Sequence, residues 1–235
     1  MRAWAPFLVY GVALAIHLVQ IAVGDPQQVI GKGLLMPALV ASVLLAIASR
    51  RGLLGGGGAR LGIALLIAAL LLSWAGDVLL ESVFLPGLGA FAAAHLVYIA
   101  LFAGPARTRR PPLWSALFVL WGAVLVPVLW PHLGAMAVPL VLYAVVLAGT
   151  AVTSTGVSGL TALGGALFLA SDTVLAFRLF WPGFDELIPD PWRGLAIMAL
   201  YGAGQGLIAA GVLGRLAVRV SATPPVGVSA SVARG

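Results

Sequence analysis

Long apolar runs separated by short polar clusters dominate the chain. Eight of them approach the about 20 residues that a helix needs to cross a bilayer. They fall near 5–22, 33–49, 61–80, 87–103, 113–130, 134–152, 160–180 and 193–213. A membrane β-barrel would alternate apolar and polar positions, whereas Leu61 to Leu72 is apolar on every face. Lipid offers the backbone no hydrogen-bond partner, so such runs fold as helices. The pattern predicts an all-α fold, a polytopic membrane bundle of eight transmembrane helices over residues 1–214. A cytoplasmic, disordered tail is expected over 215–235, rich in Ser, Ala, Pro and Val from Ser221 onward.

Composition narrows the function classes. The 235 residues are 62% hydrophobic and 9% charged, with a mean hydropathy of +1.11. A soluble domain has about 45–50% apolar and about 25% charged residues, so a soluble enzyme is excluded. Disorder throughout is excluded for the same reason. With no cysteine, disulfides, thiolate zinc sites and cysteine nucleophiles are excluded too.

The net charge of +6 lies in short loops, which points to membrane topology rather than to a nucleic-acid surface. Arg2, Arg50, Arg51, Arg60, Arg107, Arg109, Arg110, Arg215, Arg219 and Arg234 all fall on one side if both termini are cytoplasmic. Lys32, Arg178 and Arg193 fall at or near the other side, with Asp25, Glu81, Asp185, Glu186 and Asp190. The expected topology is N-in, C-in. The first run could be read as a signal peptide ending at Ala22-Val23-Gly24, but it is longer than a usual apolar core of about 7–15 residues. Gly55–Gly58 reads as a flexible cytoplasmic loop without the Gly-Lys-Ser/Thr ending of a phosphate-binding loop.

Ser73-Trp74-Ala75-Gly76-Asp77-Val78-Leu79-Leu80, ending the third span, is echoed by Leu169-Ala170-Ser171-Asp172-Thr173-Val174-Leu175-Ala176 in the seventh. Two readings stand: two four-helix repeats about an axis along the membrane normal, or coincidence in a small apolar alphabet.

A charge inside a spanning helix costs roughly 2.5–3.5 kcal/mol on insertion scales and marks a functional site by default. Asp77 lies in the outer part of span three and Asp172 near the middle of span seven. The structural alternative for Asp77 is a partner for Lys32 or a helix cap. Glu81 follows Asp77 by one turn on the same face, close enough to water to be a boundary residue. Two nearby buried carboxylates divide their affinities for protons, which is what an acid–base pair requires. His95 and Tyr98 share a face of span four, Tyr201 and Gln205 lie a turn apart on span eight, and Tyr143 is inside span six. Singly, each would be a helix-to-helix hydrogen bond. Together with the aspartates they suggest a shared polar cavity. Lys32 opens span two, as an interfacial snorkel or as an anchor for phosphate. His17, His95 and His132 sit on separate segments with no His-x-x-x-His pair, so a zinc hydrolase is weakly supported. Gly156-Val157-Ser158-Gly159-Leu160 misses the serine-hydrolase elbow at its last residue.

The chain resembles the YhhN-like membrane family, which includes the lysoplasmalogenases. The matching pieces are Lys32 with Leu34-Leu35-Met36-Pro37, Gly76 to Leu80, and Gly89 to Tyr98 with Phe102. Gly165 to Asp172 with Ala176, then Tyr201 and Gln205, complete them. Gly31-Lys32-Gly33 departs from the pattern, where Thr before the lysine and Pro after it are expected. The resemblance implies hydrolysis of the vinyl ether bond of lysoplasmalogens to a fatty aldehyde and a glycerophospho-ethanolamine or -choline. It implies a lysophospholipid substrate drawn from the bilayer, with no metal, nucleotide or nucleic acid required. On this reading Asp77 and Asp172 are the catalytic pair, the deeper Asp172 the better candidate for the acid. His95, Tyr98, Tyr143, Tyr201 and Gln205 would bind the reacting centre or orient the carboxylates, and Lys32 with Arg178 would hold the phosphate. The rival from the residues alone is a proton-coupled carrier, since midplane carboxylates and a parallel repeat suit it too.

Overall fold

A computed structural model describes residues 4–50 and 52–222. Eight long helices and one short one follow in order: α1 (Leu8–Ala22), α2 (Gln28–Ala48), α3 (Gly57–Leu80), α4 (Phe84–Ala103), α5 (Ala116–Leu133), α6 (Ala137–Ser154), α7 (Gly159–Phe180), α8 (Phe184–Leu187) and α9 (Trp192–Ala222). All but the one-turn α8 belong to stretches long and apolar enough to cross a membrane. The fifth stretch, Leu113–Ser154, holds 42 residues, which as one straight helix would span about 63 Å, twice the hydrocarbon thickness. It folds back at the 3₁₀ turn Gly134–Met136, where Gly134 takes φ +51°, a region open to glycine. The two halves, α5 and α6, pack on each other.

Most expected boundaries hold to within a few residues, and the departures lengthen helices. Lys32 does not open α2 but lies four residues inside it, because Gln28 to Gly31 form an extra first turn. Gly57 and Gly58, expected in a loop, begin α3. α9 runs to Ala222, past residue 214 where the bundle was expected to end. Arg2, Arg51, Arg234 and the rest of the expected tail lie outside the described residues.

The helices form a ring, α1–α2–α3–α4–α6–α7–α9, closed by α9 against α1, while α5 leans on α6 and α7 from outside. α9 is the hub, touching α1, α2, α3 and α7. Glycines set its close contacts, as small residues do between membrane helices. Tyr10 packs on Gly206 and Leu14 on Gly202, and the Tyr10 hydroxyl donates to the Gly202 carbonyl at 2.7 Å. α1 is thus built into the bundle. On its other side, the backbones of Gly164 in α7 and Gly204 in α9 touch directly. α5 keeps few buried residues, with Leu117, Trp121 and Val124 among those facing outward.

Pairings of consecutive spans recur between the first four and the last four, as they would in any up-and-down bundle. The aspartates do not follow such a repeat. Asp77 takes its tyrosine from the eighth span and Asp172 from the sixth, whereas a four-span shift would send Asp172 to the fourth.

Candidate active site

A cavity of about 420 Å³ opens at one end of the bundle. It draws on the C-terminal parts of α1, α3, α5 and α7 and on the N-terminal parts of α2, α4, α6 and α9. Alternating helix direction brings these eight segments to one side of the membrane. Asp77, Asp172, Tyr143, Tyr201, Lys32 and Arg178 all line it, so two aspartates 95 positions apart face one chamber. Asp172 is within electrostatic reach of Asp77. Asp172 lies further from its helix end, yet Asp77 is the more enclosed, at 4% exposure.

Each carboxylate is held by one tyrosine. The Tyr201 hydroxyl donates to Asp77 Oδ2 at 2.7 Å, and the Tyr143 hydroxyl donates to Asp172 Oδ2. The other carboxylate oxygens take no hydrogen bond among the described residues. An aromatic row joins the two tyrosines. His95 stands edge-on to Tyr143 at 5.4 Å and to Phe168 at 4.8 Å, and Phe168 meets Tyr201 at 5.3 Å.

His95, Tyr98 and Gln205, expected either to bind the reacting centre or to orient the carboxylates, do not line the cavity. All three are fully buried behind its wall and are spent on protein partners. Their helix faces meet other helices, so the hydrogen bonds that a substrate would have used are already taken. His95 Nε2 lies 3.2 Å from the Tyr143 hydroxyl and Nδ1 lies 3.1 Å from Thr150 Oγ1. Since Tyr143 spends its one proton on Asp172, His95 Nε2 is the donor in its contact with Tyr143. Tyr98 donates to Gln205 Oε1 at 2.5 Å, and Gln205 Nε2 donates to Ser73 Oγ at 3.1 Å, one turn before Asp77.

Lys32 pairs with Glu81 at 2.5 Å across the cavity rim, rather than with Asp77. Arg178 is exposed at the same rim. Leu125, Val126 and Leu129 of α5 and Leu140, Ala144 and Leu147 of α6 add an apolar wall. Sequence reasoning missed Ser73 and Thr150, whose partners come from distant spans, and it considered His17 only as a metal ligand. Among the described residues, no three His, Cys, Asp or Glu side chains gather where they could hold a metal ion.

The YhhN family model matches residues 27–212. The chain belongs to the YhhN family. It is 32% identical over 225 residues to proteins named lysoplasmalogenase in Mycobacterium bovis and Mycobacterium tuberculosis, covering 90% of this chain and 82% of each relative. It is 34% identical over 146 residues to lysoplasmalogenase TMEM86B of Homo sapiens, covering 61% of each. No solved structure matches. This YhhN protein is a multi-pass membrane protein, and the carrier alternative finds no support among these relatives.

Proposed function

We propose that this chain is a lysoplasmalogenase, hydrolysing the alkenyl ether bond of a lysophospholipid with Asp77 and Asp172 as its acid–base pair. The carrying observation is that both carboxylates line one cavity with an apolar wall, supported by the names of the mycobacterial and mammalian relatives. The alkenyl chain lies along the α5–α6 wall, and the phosphate lies at the rim near Lys32 and Arg178. The loop charges support a topology with both termini cytoplasmic, which opens the cavity toward the outer face of the cell's membrane.

The chemistry needs two carboxyl groups in opposite protonation states, as in glycoside hydrolysis. One carboxylic acid gives its proton to the alkenyl carbon remote from oxygen. The double-bond electrons form that C–H bond, and the oxygen lone pair makes an oxocarbenium ion. The other carboxylate takes a proton from water as the water oxygen bonds to the carbon beside the ether, giving a hemiacetal. That second group, now protonated, returns its proton to the glycerol oxygen as the C–O bond breaks. The hemiacetal hydroxyl proton goes back to the first carboxylate. Aldehyde and glycerol products leave with both groups reset. Tyr143 and Tyr201 fix one oxygen of each aspartate and leave the other for the reaction. His95 holds Tyr143 from behind.

Purified protein in detergent micelles, given a lysoplasmalogen, releases fatty aldehyde without any sealed membrane. Lipid flux in sealed vesicles with no aldehyde formed would make it a carrier instead.

A further inference from the structure

One buried polar side chain on the cavity wall takes no part in this network. His17 of α1 lines the cavity, is only 2% exposed, and has no hydrogen-bond partner at either ring nitrogen. The Gln20 amide oxygen, one turn further along α1, is also buried without a partner. The two converge where α2 comes closest. A methyl carbon on Gly31 would stand 2.9 Å from His17 Nδ1 and would overlap the Gln20 amide oxygen. Lys32 is the next residue, near enough to act on the His17 ring through its charge. Buried polar atoms nearly always find partners, and leaving three unmade is costly. A group bound in the cavity that pairs with the His17 ring accounts for a buried, unpartnered imidazole on its wall.

Hydrogen-bond chemistry selects that group. A neutral imidazole offers one N–H donor and one acceptor nitrogen, and an amide oxygen only accepts. Phosphate oxygens only accept, so they leave the acceptors unmet. A hydroxyl gives its one proton to the acceptor nitrogen of the His17 ring. A lysolipid carries one free hydroxyl on the glycerol carbon beside the alkenyl ether, and its doubly chained counterpart has none there. We infer that His17 binds the free glycerol 2-hydroxyl of the substrate and so makes the cavity selective for lysolipids. The inference rests on the lysoplasmalogenase reading and adds a specificity residue to it. Gly31 belongs to the device, because any side chain there displaces the ring.

The test uses a non-cleavable 1-O-alkyl lysophospholipid and its 2-O-methyl ether, titrated onto the purified full chain in detergent. Wild type binds the free-hydroxyl lipid about tenfold more tightly than the methyl ether, the order expected for a site built around one hydroxyl. His17→Leu loses that preference by weakening only the hydroxyl lipid, and its thermal midpoint is no lower than that of wild type. His17→Asn, which keeps a donor and an acceptor, retains part of the preference. Equal weakening of both lipids by His17→Leu, or an unchanged preference, overturns the inference while leaving the lysoplasmalogenase reading intact. If wild type binds neither lipid, both fall together.

Discussion

Asp77→Asn and Asp172→Asn each lower aldehyde release from a lysoplasmalogen by about 10²–10⁴-fold, the range typical of removing a positioned acid or base. The amide keeps the size and can still accept from Tyr201 or Tyr143, so both variants fold with thermal midpoints near that of wild type. What is lost is the proton traffic. An amide can neither give a proton to the alkenyl carbon nor take one from water. The double variant falls little below the worse single one, because residues that act as a unit are not additive. Aldehyde trapping with single-turnover timing reads the effect on the chemical step. Full activity in either single variant removes that aspartate from the mechanism.

Gly164→Val is the substitution expected to damage the fold most. The first carbon of any side chain at 164 would stand 2.7 Å from the Gly204 carbonyl oxygen and 2.9 Å from the Ile208 amide nitrogen. Both are backbone atoms of α9, which cannot rotate away. A side-chain carbon at 204 would likewise stand 2.9 Å from the Gly164 carbonyl oxygen, so the two helices are in contact along their main chains. Separating them opens the α7–α9 seam, from whose two helices Asp172 and Tyr201 reach the cavity. Overpacking of this kind costs about 1–3 kcal/mol, seen as a lower thermal midpoint in detergent, with Gly164→Ala intermediate. Gly122→Ala serves as the control, since nothing lies within 4 Å of a methyl group there. A midpoint for Gly164→Val equal to that of the control contradicts the close seam.

Physical asymmetry decided what could be read from the chain. Asp77 and Asp172 stand out because a carboxylate in an apolar run has a cost that calls for a reason. The spans stand out because lipid leaves the backbone only one way to satisfy itself. Lys32 was misplaced at a helix start because its charge, set between Gly31 and Gly33, interrupts the apolar run, although the helix continues through all three. His95, Tyr98 and Gln205 look the same in sequence as Tyr143 and Tyr201. Only packing separates those facing the chamber from those behind its wall. His17 gave the same signal as any lone polar residue in a span. Its meaning depends on the absence of partners, which no sequence pattern displays. The echo around the two aspartates places both on like-directed helices, yet their tyrosines come from non-equivalent spans.

The central claim is that a fixed carboxylic acid in this cavity protonates the alkenyl carbon. It is tested most directly by running the reaction in D₂O and trapping the aldehyde as it forms. The expected product carries one deuterium on the carbon next to the carbonyl, in a single configuration, because the acid approaches one face of the double bond. Equal amounts of both configurations would mean that the proton was added in free solution, and would contradict the assignment of Asp77 and Asp172 as the pair that delivers it.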